Sequence, residues 1–275
     1  MGLSTISNFA AHVAHRNVSG SNKGLGLAMA KLAAGRRVLS AKDDAAALAI
    51  GSRMGAEVSG LQQAKVNAGQ GSSLLQIADG GLARTNDILS RMKSLAVQAS
   101  SGQLGGSERN AINTEFQALA SEVDRISADT EFAGTGLLDG STGSIDIKVG
   151  TGTDAAADTL SLSLANSSAG ALGISGAEVV TQSGANSAIG AINNAIDTIQ
   201  SSRSLIGAGQ NRLGFASANI ATTIENTESA RSSLLDLDVA AGSGDLASKR
   251  ILFQSGLAML EQANNKPKHI MRLLI

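Results

Sequence analysis

Few residues in this chain could do chemistry. His12 and His15 stand three apart, a spacing that on a helix lets two imidazoles share a metal ion, with His269 as a distant third donor. No acidic residue lies near the pair to complete a ligand set, so three unrelated surface histidines are expected. Asp43-Asp44 and Asp236-Leu237-Asp238 are paired carboxylates of the kind used in acid/base work or calcium binding. Neither pair has a histidine, an aromatic platform or a glycine-turn loop beside it, so helix capping or solvent is the expected role. Gly24-Leu25-Gly26 is a fragment of a dinucleotide fingerprint, but it sits inside a helical pattern with no strand before it. No H-E-x-x-H, no nucleophile elbow and no Walker-type loop occurs. The expectation is no enzyme, no metal and no cofactor.

The elements that would have to position such residues are mostly helices. The clearest pattern begins at Ile189 and repeats in steps of three and four through Ile192, Ile196, Ile199, Ile206, Leu213, Ile220 and Ile224. Arg203, Gln210 and Ser217 interrupt this seam and could fix its register. A second seam runs Ile112, Phe116, Leu119, Val123, Ile126, and a third Leu89, Met92, Ala96, Ala99. Near the N-terminus Leu25, Met29, Leu32 and Leu39 share a register, and near the C-terminus Leu246, Phe253, Leu257 and Leu260 share another. An isolated helix is marginal in water, so these stripes must pair with each other or with other chains. Ser40 to Asp43 resembles a capping arrangement, and Ser107 is a plausible N-cap after the Ser101–Gly106 turn. Pro267 has no N–H and is expected to end or kink the last helix near Lys266.

Between Gly134 and Gly190 the pattern changes. Ile145, Ile147 and Val149 alternate with polar residues, as do Leu160, Leu162 and Leu164, which reads as two half-buried strands of a hairpin. The expected fold is mainly α: an elongated bundle of long antiparallel heptad helices, the terminal helices paired as a coiled coil, with a small β-hairpin insert at the far tip. The expected segments are 1–43 (N-terminal helix of an inner coiled coil), 44–139 (first part of the core bundle), 140–185 (hairpin insert), 186–235 (long core helix) and 236–275 (C-terminal helix of the inner coiled coil).

Composition narrows the function. The 275 residues include no Trp, no Tyr, no Cys, five Phe, one Pro and 32 Gly. Without cysteine there are no disulfides and no thiolate metal sites. A net charge of −1 offers nothing to drive nucleic-acid or anionic-membrane binding. No run approaches the ~18 apolar residues of a membrane span. Met1 to Gly20 has no basic start, apolar stretch and cleavage site, so no cleaved secretory signal is expected. Long helices with exposed apolar seams point to self-assembly.

Several ordered motifs carry a family resemblance. Ser40-Ala41-Lys42-Asp43-Asp44-Ala45-Ala46, Ser90 to Ala99, Glu122 to Ser127 and Thr130-Glu131-Phe132-Ala133-Gly134 with Leu137-Leu138 resemble the N-terminal half of bacterial flagellins. Gly209 to Leu213, Asn226 to Ser232 and Gln262-Ala263-Asn264 before Leu273-Leu274 are similar to the C-terminal half. The resemblance covers 20–140 and 186–275, with an insert short enough for a minimal flagellin without large outer domains. It implies an extracellular filament subunit for swimming motility, exported unfolded through the flagellar type III channel. Gly- and Ala-rich terminal helices with apolar seams gain order only with a partner, so the ends are expected to be mobile in the monomer and ordered in the polymer. The alternative within the family is a hook–filament junction protein. The implied partners are the chain itself, a filament cap protein, a hook-junction protein and an export chaperone. Implied assembly residues are Leu25, Met29, Leu32, Leu39, Leu246, Phe253, Leu257, Leu260, Leu273 and Leu274. Arg91, Leu95 and Glu115 match a motif that in many flagellins binds the Toll-like innate receptor. The seam Leu89–Met92–Ala96–Ala99 would leave Leu95 as an exposed apolar residue, whose expected partner is the next subunit in the filament, so Arg91, Leu95 and Glu115 are also expected as an axial contact.

Overall fold

The computed structural model describes residues 8–273, with side chains described through residue 266. The chain order is α1 (Phe9–Ala34), α2 (Ala45–Ala99), α3 (Gly106–Asp129), β1 (Glu131–Phe132), β2 (Thr135–Gly136), β3 (Ser144–Lys148), α4 (Ala155–Asp158), β4 (Thr159–Ser163), α5 (Gln182–Leu235) and α6 (Val239–Leu273). The fold is mainly α, with two small antiparallel sheets. At 1.5 Å per residue α2 and α5 are each about 80 Å long. The single proline lies outside both, so neither ladder is interrupted by a missing N–H.

Two compact units form, Met1–Ala56 with Asn226–Ile275, and Glu57–Glu225. The division falls inside α2 and α5 rather than at the ends of helices, where the sequence pattern alone would put it.

In the first unit α1 and α6 pack together. Val18 meets the place a Gly256 side chain would take, Leu32 meets Gly242, and the Lys249 stem lies over Gly24, so the helices run antiparallel in one register. Glycine at 256 lets the backbones close, because a Cβ there would stand 3.0 Å from Val18 Cγ2. α1 stops at Gly35, whose φ of 65° is the left-handed conformation that glycine tolerates best. The strand-like link that follows is held by Arg37 N–H donating to Leu235 O and Leu237 N–H to Gly35 O. A small core of Val38, Ala47 and Leu235 sits beside it.

The second unit has the larger core. Leu75, Leu82, Leu89 and Met92 of α2, Phe116 and Val123 of α3, and Ile192, Ile199, Ile206 and Leu213 of α5 form one cluster. The seams on these three helices therefore face each other. Arg203, which interrupts the α5 seam, pairs with Asp79 of α2 at 2.8 Å.

The hairpin forms with Ile145 opposite Leu162 and Ile147 opposite Leu160. It is not at a far tip. Leu160, Leu162 and Leu164 belong to the main cluster, and Ile147 packs over Gly71 of α2, 3.1 Å from where a Cβ would stand. Asn67 of α2 donates to Lys148 O. A glycine-bearing helix face offers a smooth bed, and burying the strand leucines there removes more apolar surface from water than a projecting hairpin could. The irregular stretch after β4 has its backbone satisfied by α3: Ala169 N–H donates to Asp124, Val179 N–H to Asn113, and Ala177 O accepts from Gln117.

Candidate functional site

One carboxylate of each pair caps a helix. Asp44 Oδ1 accepts from Ala47 N–H at the start of α2, and Asp238 Oδ1 accepts from Ala240 and Ala241 N–H at the start of α6. Asp43 turns back on the preceding loop, accepting from Leu39 and Ser40 N–H and from Ser40 Oγ. Those bonds, the Leu39 one foremost, hold its carboxyl below the usual carboxylate range. The helix cap is thus Asp44 rather than Ser40. Likewise α3 starts at Gly106 with Gly105 as its N-cap, not Ser107. His12 and His15 are exposed on α1. Among the described residues no three metal-ligating side chains converge. Gly24 lies in mid-helix, and among the described residues no strand precedes it.

What remains is exposed apolar surface. On the α1–α6 pair Leu25, Leu32, Leu246, Phe253 and Leu260 are half-buried, as expected of a seam. Met29, Leu39 and Leu257 are exposed, outside the intrachain seam. The reason is spacing: Val18, Leu25, Ala28 and Leu32 complete the stripe on α1, and Leu246, Phe253, Gly256 and Leu260 complete it on α6, so Met29 and Leu257 fall on the flanks. Other apolar residues share those flanks. Phe9 is 71% exposed and Met259 65%, with Leu27, Ile251 and Leu252 also open. The side chain of Leu273 and all of Leu274 lie outside the described residues. α6 itself does not end at Pro267; it runs on to Leu273.

Arg91 and Glu115 are brought together. Nε and Nη2 of Arg91 both donate to Glu115 Oε1, at 2.9 and 2.6 Å, joining α2 to α3 on an exposed face. Leu95 is not on that face. It is only 2% exposed and belongs to the main cluster. The expectation that it is an apolar surface residue outside the seam is corrected. Leu89, Met92, Leu95, Ala96 and Ala99 are all buried because this stretch of α2 packs on two sides. The second unit carries its own exposed apolar residues, Phe215 at 77% and Leu205 on α5, and Val66 and Ile77 on α2.

No described helix is long and apolar enough to cross a membrane. Exposed apolar side chains on the flanks of amphipathic helices call for protein partners.

Comparison with known proteins gives these surfaces a context. The family model for the bacterial flagellin N-terminal helical region matches residues 6–143, and that for the C-terminal helical region matches 189–274. The chain is 37% identical to a flagellin of Halalkalibacterium halodurans over 97% of its length and 98% of the relative's. It is 34% identical to the flagellar filament 31.3 kDa core protein of Treponema maltophilum, again over 97% and 98%. Among solved structures, Bacillus cereus flagellin aligns with a TM-score of 0.50 at 28% identity, covering 56% of this chain and 88% of that one. A hook-associated protein from Vibrio parahaemolyticus aligns with a TM-score of 0.59 at 13% identity, covering 70% and 100%, a likeness of fold alone.

Proposed function

The chain belongs to the bacterial flagellin family, whose members are structural and not enzymes, and we propose that it is a short flagellin that polymerises with itself into the extracellular flagellar filament. The observation that carries this reading is the α1–α6 pair with large apolar residues left open on both flanks. Phe9, Leu27, Met29, Ile251, Leu252, Leu257 and Met259 cannot all be covered by one partner helix. Burying one such side chain is worth about 1.5–3 kcal/mol, and a polymer repeats that gain in every subunit. The residues named for assembly fall into two roles on this reading. Leu25, Leu32, Leu246, Phe253 and Leu260 hold the helix pair; Met29, Leu39 and Leu257 touch neighbouring subunits. Leu273 and Leu274 continue the C-terminal contact by family resemblance.

Export proceeds unfolded through the flagellar channel. Two features of the composition support this: no cysteine can be trapped by oxidation, and one proline leaves few slow isomerisations during refolding at the growing tip. The cap protein, hook-junction protein and export chaperone are the further partners that the resemblance implies. A Toll-like receptor reading this chain would find Arg91 and Glu115 on the surface and Leu95 beneath it.

The test is a truncation. Removing residues 246–275 leaves the second unit's core intact but takes the partner from α1. The expected product is soluble and does not elongate seeds in electron micrographs. Normal filaments from the truncated chain sink the reading.

A further inference from the structure

Asn8 uses both ends of its amide. Oδ1 accepts from Ala11 N–H at 3.0 Å and caps the start of α1. Nδ2 donates to Ala263 O at 2.8 Å, reaching across to α6. One end needs an acceptor and the other a donor, so the two bonds together fix which way the amide points.

The carbonyl it reaches is not an arbitrary one. In an α-helix the C=O of residue 263 accepts from the N–H of residue 267. Residue 267 is Pro267, which has no N–H. α6 nevertheless continues to Leu273. Ala263 O is therefore the one carbonyl in α6 whose regular partner is removed by covalent structure, and the Asn8 amide supplies the missing donor from another helix. A half-buried carbonyl left without a donor costs more than a formed bond gains, so the contact has a definite place along α6.

We propose that Asn8 is a clamp that sets the axial register of the terminal helix pair by closing the hydrogen-bond gap Pro267 opens in α6. Apolar seams with a three-and-four repeat can slide by a turn or a heptad and still bury similar surface. A polar pair satisfied at one register only blocks such slips. The gap at Ala263 and the cap at Asn8 meet at one register, the same one that sets Val18 against Gly256 and Leu32 against Gly242.

The experiment is a double-mutant cycle on the full-length chain. Asn8→Ser keeps a capping oxygen but is too short to reach Ala263. Asn8→Asp keeps the cap and turns the donor into an acceptor facing a carbonyl. Pro267→Ala restores the helix's own N–H. Hydrogen exchange is read at the amides of residues 9–14 and 259–266, in sedimented polymer. With Pro267 present, Asn8→Ser is expected to speed exchange about fivefold, and Asn8→Asp more. With Pro267→Ala, Asn8→Ser is expected to change it less than about twofold. Equal effects in both backgrounds, or none in either, overturn the clamp. If the parent forms no polymer, the filament reading fails separately and the same cycle is read on the soluble chain. Unprotected amides at both ends in both forms also overturn the clamp.

Discussion

Arg91 and Glu115 meet at 2.6 Å across α2 and α3, one turn from Leu95, yet they belong to the solvent and Leu95 to the core. Both charged side chains are about half exposed, which places the pair among those worth about 0–1 kcal/mol. Arg91→Ala is expected to leave the denaturant midpoint nearly unchanged. Leu95→Ala opens a cavity beneath it and is expected to cost about 2–5 kcal/mol. Chemical unfolding of the two variants checks this. The order matters for any receptor assay: a signal lost in Arg91→Ala reports recognition, whereas one lost in Leu95→Ala reports a damaged fold.

Gly81 is a second place where packing overrules propensity. Alanine is the better helix former by about 1 kcal/mol in an open helix. Here a Cβ would stand 2.7 Å from both Leu138 Cδ1 and Thr130 Oγ1, and Leu138 is fully buried. Gly81→Ala is expected to destabilise by about 1–3 kcal/mol. At Gly69, with nothing within 4 Å, the same change is expected to stabilise. Thermal melts of the two variants should move in opposite directions.

Phe215 separates stability from assembly. It is the most exposed of the large apolar side chains on α5, so Phe215→Asp removes no core contact. Its unfolding midpoint is expected to stay within about 0.5 kcal/mol of the parent. If this face touches a neighbouring subunit, seeded polymerisation should fail in the same variant. Parental elongation rates would remove Phe215 from the assembly surface.

The turn before α2 should respond to acid. Asp43 is held below its ordinary carboxylate range by the Leu39 and Ser40 amides, so its bonds are complete above that range. They are lost as pH falls through the depressed folded-state value, because the unfolded chain binds the proton first. The amide proton shifts of Leu39 and Ser40 are expected to be flat at neutral pH and to move together below about pH 3.8, the ordinary value. Asp43→Asn should abolish that titration.

Much of the architecture was legible before folding. A three-and-four repeat states which way a side chain points around its own helix, and the seams at Ile192–Ile220, Phe116–Val123 and Leu89–Ala99 needed nothing more. Alternation of Ile145, Ile147, Leu160 and Leu162 likewise contained the hairpin and its facing. The family motifs identified the filament chemistry, which no catalytic constellation competes with. Tertiary structure decided how many sides of each helix are covered. Periodicity along one helix cannot report how many neighbours it acquires. Leu95 is buried because α2 packs on two sides there, while Met29 and Leu257 are open because, among the described residues, the α1–α6 pairing covers one stripe of each helix and leaves its flanks bare. Nor could spacing along the chain show that Asn8, some 255 residues from Ala263, would answer a gap made by Pro267. That match depends on an antiparallel register, and only packed helices have one.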